Sequence, residues 1–487
     1  DVIGTEDRER FEIDRLDDDH TRVTVSEINK KGEVKHQTYQ RIFETRDTEF
    51  IDVYGNGDND DFVVTGTVKK GIKVRLIGGL GNDEFTDQSV VGRGSKKTIV
   101  FDDLRKNTVV SGPETRDRRT SISRYNIYDR RGYDSEYNII MPFPILGYNP
   151  DDLFLLGASL NVVRHTFKKV PYSSFQRFGG SFAFGTLAFK ATYEADFLNV
   201  IKNWDFYLDA RYHGPSYAFN FAGLGNDTQR PVDDPDYYRV RQGLIHIYPA
   251  LKRRFAGVSG YFTVGPTFTT TRVENTEGRF IREYGEQVSY NIFEQKYFAG
   301  VRLGFHYNNV DNVFSPHSGI RFNTTFDGVD NIRDDKGFTS LRSQLIIYKA
   351  LDKKEHFILA TQFGYGQNFG KGYEFFQMPN IGGSMGLRGY RTERFYGDIM
   401  YWQSTDLRVK LTASRNRILP FTLGVFGGFD YGRVWLYGEA SESWHNSIGG
   451  GLWVSPLDAL VFSLGTFWPK EEFEESPRFV FRVGLGF

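Results

Sequence analysis

The stretch Phe357-Ile-Leu-Ala-Thr-Gln-Phe-Gly-Tyr365 alternates large apolar side chains with small or polar ones. A period of two places successive side chains on opposite faces of a β-strand. Ile320-Arg-Phe-Asn-Thr-Thr-Phe-Asp327 alternates in the same way. One face of such a strand can meet lipid while the other meets water, so both stretches are typical of a membrane β-barrel.

Segments of this kind recur from about residue 138 to the end of the chain. Sixteen strands are predicted, with starts near 138, 154, 176, 188, 204, 238, 256, 295, 319, 338, 356, 400, 420, 443, 459 and 478. Long polar links mostly alternate with tight turns, just as long outer loops alternate with short periplasmic turns in membrane barrels. A soluble β-sandwich is the alternative, but sixteen strands exceed its usual complement. The sequence therefore predicts an all-β protein, with a 16-stranded antiparallel transmembrane β-barrel over 131–487 and a small β-rich periplasmic domain over 1–130.

Composition limits the classes of function. The 487 residues include 44 Phe, 28 Tyr and 52 Gly but no Cys, and 61 basic side chains nearly balance 62 acidic ones. Near-neutral charge gives no reason to expect nucleic acid as a partner, and a chain without cysteine has no thiolate metal site. The mean hydropathy of -0.46 suits a barrel, because only alternate residues face lipid. The sequence shows no H-E-x-x-H motif and no paired-carboxylate constellation, so we predict that the chain is not an enzyme.

Two related turns, rich in glycine and aspartate, stand in the first 130 residues. Gly78-Gly-Leu-Gly-Asn-Asp83-Glu-Phe85 matches G-G-x-G-x-D-x-U, the calcium-binding nonapeptide of parallel β-rolls. A degenerate copy at 55–62 places Asp60 in register with Asp83, 23 residues earlier. Two interpretations stay open: stacked turns without metal, or Ca²⁺ bound by Asp60 and Asp83, since carboxylate oxygens suit this cation.

The segment 371–398 follows neither a helical nor a strand period and is predicted to be a long ordered loop. The next two predicted strands place Asp406 and Asp430 on the lumen side by the parity of their side chains. Two glycines beside Asp430 are expected to leave space for a guanidinium. The motif residues are Gly382, Gly383, Arg388, Gly389 and Tyr390 in the loop, and Gly428 and Gly432 on the strand that starts near 420.

These motifs, with the sixteen strands and the end of the chain, resemble the superfamily of outer-membrane assembly and translocation barrels that includes BamA, TamA and FhaC, the bacterial surface antigen family. The resemblance covers 138–487. It implies that the loop folds into the lumen, where Arg388 pairs with Asp430 or Asp406, since a planar guanidinium grips a carboxylate with two hydrogen bonds.

The same resemblance implies a protein of the outer membrane that inserts or translocates envelope proteins. Its expected partners are outer-membrane lipid, client envelope proteins and periplasmic or lipoprotein accessory subunits. Two other functions stay open: a passive pore or transporter barrel, and a membrane anchor for an upstream enzymatic domain. A steady large conductance would be typical of the passive pore.

Residues 1–130 depart from the superfamily's usual plan, because no helical period is long enough for a POTRA module. They look more like variants of Bacteroidota-type envelopes in which a metallophosphatase domain, absent from this sequence, precedes the barrel. The beginning of the chain lacks the features of a signal peptide, as expected of a mature chain or of the C-terminal part of a longer one.

The first and last predicted strands meet where the barrel closes. Pro142 and Pro144 are two residues apart, so both remove a backbone donor from the same edge of the first strand. Prolines belong at sheet edges. We therefore expect the deficient edge to face the last strand and to form a weak seam, to which a client strand could add. The last strand is similar to the terminal insertion signal of bacterial barrels, through Arg482, Gly484, Leu485 and Phe487.

Overall fold

A computed structural model divides the chain into two compact units, Asp1–Glu136 and Tyr137–Phe487. The structure describes all residues except 93–95, 105, 120–127, 129–136, 150–152, 168, 170, 202, 256–258, 289–290, 335, 384, 415–419, 458–459, 471–476 and 484–487. The domain boundary expected at residue 130 falls in one of these stretches.

The first unit is a solenoid of short strands. They are β1 (Val2–Ile3), β2 (Glu9–Arg15), β3 (His20–Ile28), β4 (Val34–Glu44), β5 (Phe50–Asn56), β6 (Asp61–Thr65), β7 (Thr67–Val68), β8 (Lys73–Gly79), β9 (Glu84–Asp87), β10 (Val90–Val91), β11 (Thr98–Phe101), β12 (Thr108–Val110) and β13 (Thr115–Asp117). One parallel sheet has the order β1-β5-β8-β11-β13, and the other stacks β2, β6, β9 and β12. The antiparallel strands β3 and β4 continue this second sheet from β2.

Strand register aligns four rungs of this solenoid, residues 2–13, 53–64, 76–87 and 100–110. Three of them contribute a ring to one buried column, in which Phe62 lies between Phe11 and Phe85 with centroid distances of 4.7 and 4.8 Å. The sequence motifs identify only the two middle rungs. The aromatic column and the parallel pairing show that all four form one packed stack.

The second unit is an antiparallel β-barrel. Its sixteen long strands are β14 (Ile139–Asn149), β15 (Leu153–Arg164), β16 (Ser174–Ala183), β17 (Ala188–Ile201), β18 (Trp204–His213), β20 (Arg239–Phe255), β21 (Gly260–Val273), β22 (Lys296–Val310), β23 (Gly319–Asn331), β24 (Lys336–Ala350), β25 (Phe357–Gly370), β28 (Ile399–Ser414), β29 (Phe421–Trp435), β30 (His445–Pro456), β31 (Phe462–Pro469) and β32 (Arg478–Val483). The three-residue strand β19 (Ala218–Asn220) pairs with β20 beyond β18 and was not predicted. The predicted sixteen strands are confirmed.

Side chains alternate between the two faces of the barrel wall. On β28, Leu407 points outward and is 43% exposed, whereas its neighbours Asp406 and Arg408 are buried. Apolar residues thus face out while polar ones face in, as a lipid-embedded wall requires. In the described ranges, no helix has the length and apolar character needed to cross a membrane.

Long loops at one end of the barrel pack together. They contain the helix α1 (Phe280–Val288), 3-10 turns at Pro235–Tyr238 and Phe375–Gln377, and the short strands β26 (Asn380–Ile381) and β27 (Phe395–Tyr396). Their shared apolar core consists of Phe219, Phe221, Val240, Val273, Ile281, Ile292, Phe375, Met378 and Tyr396.

We expect Phe62→Ala to destabilise the solenoid by about 3–5 kcal/mol, because it removes the middle ring of the buried column. Hydrogen exchange of the full chain should show lost protection in β6 and β9 while the barrel strands keep theirs. Ile42→Ala on β4, where the side chain is 53% exposed, is the control and should change stability by less than about 0.5 kcal/mol. Equal protection of β6 in the two variants would contradict the prediction.

Candidate functional site in the barrel lumen

The loop between β25 and β28 turns back into the barrel. β26 and β27 pair antiparallel and close it as a hairpin. Gly382 and Gly383 have φ values of 137° and 56°, which are readily available only to glycine, and they begin the turn. The loop and the wall share one buried apolar cluster, made of Ile381, Leu387, Tyr390, Phe395, Met400, Trp402 and Val434.

Arg388 lies in this loop and is 3% exposed. Its backbone N–H donates to Asp430 Oδ2 over 2.9 Å, and its Nη2 donates to Asp430 Oδ1 over 2.6 Å. Its Nη1 forms an ion pair of 2.7 Å with Asp406 Oδ1. Both carboxylates are buried and share this one guanidinium. The positive charge of Arg408 also acts on Asp406, and that of Arg482 acts on both acids.

Two further strands enclose the same guanidinium. Phe467 of β31 places its ring centre 4.0 Å from the guanidinium carbon of Arg388. Ser447 of β30 donates to Asp430 Oδ2 over 2.9 Å and accepts the N–H of Gly389 over 3.2 Å. Strands β28, β29 and β31 therefore contact the Arg388 side chain, and β30 contacts Gly389 and Asp430 beside it. Sequence reasoning missed Ser447 and Phe467, although both lie on lumen-facing positions.

The glycines of strand β29 have different neighbours. A β-carbon on Gly428 would lie 2.6 Å from Arg388 Nη2, so this glycine makes room for the guanidinium. A β-carbon on Gly432 would instead lie 2.8 Å from the β-carbon of Trp402. The expectation that both glycines flank the arginine is therefore corrected: Gly432 makes room for the tryptophan, because it lies four residues beyond Gly428 on the strand.

Gly389 and Tyr390 seat the loop against β30. A β-carbon on Gly389 would lie 2.7 Å from that of Ser447, so a larger residue would lift the loop. Tyr390 is buried, and its hydroxyl donates to the carbonyl of Asn446 over 3.2 Å. Its ring lies 6.0 Å from that of His445. The whole Arg-Gly-Tyr motif thus contacts the wall.

β14 and β32 stand at the two ends of the sheet order, and no pairing joins them in the part of the chain that the structure describes. The N–H of Phe184 donates to the carbonyl of Phe154. The backbone N–H and C=O groups of even-numbered β15 residues therefore point towards β16. Odd-numbered β15 residues therefore bond to β14. Pro142 and Pro144 lie opposite even-numbered residues, so their backbones point away from β15.

Only one of the four terminal-signal residues, Arg482, is described, because Gly484, Leu485 and Phe487 lie outside the described residues. Arg482 lines a small cavity together with Arg388, Asp406 and Arg408. The last described strand is thus a direct neighbour of the loop arginine.

In the solenoid, side-chain oxygens join successive rungs. Oδ1 of Asp60 accepts the N–H of Glu9 over 2.8 Å, Oδ1 of Asp83 accepts the N–H of Asp60 over 2.9 Å, and Oδ1 of Asn107 accepts the N–H of Asp83 over 2.8 Å. The second oxygen of Asp60 is buried without a hydrogen-bond partner.

Burial shifts the titration of these acids. Desolvation, reinforced by neighbouring acids, raises the pKa of Asp60 to about 9 and that of Asp102 to about 8. It also raises the pKa of Asp83, to about 6. The described residues contain no group of three acidic or histidine side chains able to hold a metal ion. The unpartnered oxygen of Asp60 suits a cation, which would take its other oxygen ligands from Asp83 and from backbone carbonyls.

Comparison with known proteins gives the family. Residues 179–487 match the Omp85 superfamily domain. The chain belongs to the Omp85 superfamily. Among solved structures, this Omp85 barrel is similar to BamA from Haemophilus ducreyi lacking POTRA domains 1-3, with a TM-score of 0.53 at 15% identity over 72% of this chain and 70% of that chain. CdiB from Escherichia coli gives a TM-score of 0.46 at 11% identity over 72% of this chain and 63% of that one.

Family membership confirms the outer-membrane barrel and the periplasmic location of the solenoid that the sequence predicts. Omp85 proteins are assembly or translocation barrels.

We expect Arg388→Ala to free the loop while the barrel stays folded. The change removes the cation that contacts both Asp406 and Asp430, which are buried, a penalty of about 3–5 kcal/mol at the loop. Hydrogen exchange over 385–398 measures release of the loop, and heat-modified migration in gel electrophoresis measures barrel folding.

Two variants control this measurement. Arg388→Lys keeps the charge but loses the planar fork and should give intermediate exchange. Arg282→Ala on α1 removes an arginine whose side chain is 46% exposed and should leave the loop unchanged. Exchange in Arg388→Ala equal to that of the unmodified protein would show that the ion pair does not hold the loop.

Proposed function

We propose that this Omp85 barrel inserts envelope proteins into the outer membrane or passes them across it, and that β14 and β32 form the seam at which a client strand adds. The observation that carries this proposal is the lack of pairing between those two strands within the described residues. An unpaired strand edge offers a row of backbone donors and acceptors, which a strand of another chain can complete.

The orientation of the prolines supports the same seam. Since Pro142 and Pro144 turn away from β15, the two missing N–H groups belong to the edge that faces the seam. Each missing hydrogen bond weakens closure by roughly 0.5–1.5 kcal/mol. Closure of β14 on β32 is then weaker than any ladder inside the sheet, and a client strand competes with it at low cost.

The seated loop favours this function over a passive pore. Arg388 ties the loop to three strands of the wall, β28, β29 and β31, and an apolar core joins the long loops at the same end of the barrel. A passive pore needs an open path instead. The membrane-anchor function has no comparable support from the described contacts. The partners that we propose are outer-membrane lipid on the exposed apolar face, client envelope proteins, and periplasmic or lipoprotein accessory subunits.

Depletion of the protein should reduce the amounts of other outer-membrane barrels, measured as an inventory of that membrane. Complementation with Pro142→Val/Pro144→Val should restore these amounts about tenfold more slowly than complementation with the unmodified protein, because two restored donors tighten the seam. Pro266→Val is the control: Pro266 is exposed on β21, which is paired on both sides.

Two results would count against this reading. An unchanged inventory after depletion would overturn the function itself. Full-speed restoration by the double variant would overturn only the weak seam.

We also propose that Ca²⁺ binds between the rungs of Asp60 and Asp83. The charged groups that act on Asp60 are Asp83, Glu9 and Asp58, all acidic. Buried carboxylates in such surroundings need a positive charge, and carboxylate and carbonyl oxygens are the ligands that calcium takes in proteins. When bound, the ion would supply that charge and bridge two rungs.

Calcium at about millimolar levels should raise the thermal midpoint of the solenoid transition in the full chain. Asp83→Asn should abolish the rise, because its amide oxygen still accepts the N–H of Asp60 while the charge is lost. Asp47→Asn, at a side chain that is 66% exposed, is the control and should respond like the unmodified protein. If calcium leaves the midpoint unchanged, the stacked turns are metal-free.

A further inference from the structure

Asn226 is buried at 1% exposure in the loop between β19 and β20. Its Nδ2 donates to the carbonyl of Val434 over 2.8 Å, and its Oδ1 accepts the N–H of Val434 over 3.1 Å. A side-chain amide can present a donor and an acceptor together, as a peptide group does. Asn226 therefore pairs with Val434 as a residue of a neighbouring strand would.

The strand register explains why Val434 needs this partner. Pairing between β29 and β30 ends at Gly432 opposite His445, so the last residues of β29 extend beyond β30. Buried backbone groups that lack a ladder partner are costly. Asn226 fills the missing position, four residues along the same strand from Asp430.

The loop that contains Asn226 makes a second set of hydrogen bonds near the end of β29. Glu439, in the connection between β29 and β30, accepts the backbone N–H of Asn226 over 2.7 Å and its Nδ2 over 3.1 Å. Gly225 has φ of +91°, and a β-carbon there would clash with the Glu439 carboxylate. Glycine at this position therefore lets the carboxylate reach the asparagine.

The opposite side of this loop contacts the loop that carries Arg388. The N–H of Gly225 donates to the carbonyl of Tyr396 over 2.8 Å. Arg394 donates to both the hydroxyl and the carbonyl of Thr228 over 2.6 Å. The residues 221–234 thus bridge β29 and the Arg388 loop at the long-loop end of the barrel.

We propose that Asn226 is a positioning residue that clasps loop 221–234 onto β29 and so holds the outer mouth of the barrel closed over the Arg388 loop. Release of the clasp frees loop 221–234 from β29 without breaking the ion pairs of Arg388. Closure of the mouth and seating of the Arg388 loop are then separate equilibria. This inference does not depend on which proteins the barrel handles.

Conductance of the purified full chain in planar lipid bilayers tests the clasp. Asn226→Ala should raise the open probability on the order of tenfold, the factor that one lost buried hydrogen bond carries in an equilibrium constant. Glu439→Ala should also raise the open probability, since it removes the second set of hydrogen bonds to Asn226. Glu439 lies in a loop and takes no part in the strand pairing of the barrel. Asp233→Ala, an exposed position of the same loop, is the control.

Two further measurements separate gating from misfolding. Heat-modified migration should match the unmodified protein in all three variants. In Asn226→Ala and Glu439→Ala, but not in the control, hydrogen exchange should rise over 221–234. On β29 it should rise only at the N–H of Val434, and only in Asn226→Ala, because Asn226 accepts that N–H. If Asn226→Ala fails to fold, Glu439→Ala alone decides the matter. Open probabilities of folded variants equal to the control would overturn the proposal.

Discussion

The ion pairs of Arg388 with Asp430 and Asp406 are the contacts on which the arrangement of the lumen depends. A guanidinium buried at this depth cannot return to water without taking its positive charge away from two buried carboxylates. The backbone N–H of Arg388 also donates to Asp430, so the main chain is fixed along with the side chain. The apolar cluster around the loop packs at the position where these ion pairs hold the loop.

Room for this arrangement comes from small residues in the last strands. A β-carbon on Gly428 would approach Arg388 Nη2, and one on Gly449 would lie 2.5 Å from the Phe467 ring. Glycine weakens a strand interior, so space for the loop is gained at the expense of strand stability. These strands also lead to β32, whose Arg482 lines the same cavity as Arg388. The seated loop and the last described strand are therefore neighbours in the barrel.

How much the sequence predicts depends on the range of the interaction. Alternation along a strand is local, and strand starts fall within four residues of expectation, the largest difference being Gly260 against 256. The lumen side of Asp406 and Asp430 follows from the same parity. Ser447 and Asn226 could not be found this way, because their roles depend on which distant segment lies opposite. A serine or asparagine has no sequence signature for such a partner.

The fourth rung of the solenoid was also not predicted, because its residues differ from the glycine and aspartate motif. The fourth rung has Asp102 where the middle rungs have Gly55 and Gly78, and Asn107 where they have aspartate. Asn107 still accepts a backbone N–H through its Oδ1. The hydrogen bond between rungs is therefore retained although the aspartate of the motif is absent.

The acidic pair of the barrel lumen and Asp60 of the solenoid obtain positive charge from different sources. In the barrel an arginine of the same chain supplies the positive charge, so the site is complete without any other component. In the solenoid the charges acting on Asp60 are all acidic, and neutralisation must come from a proton or a cation of the periplasm. A covalently tethered counter-charge cannot exchange, whereas protons and ions do. The barrel loop is therefore held by the chain alone, and the stability of the solenoid follows the composition of the surrounding solution.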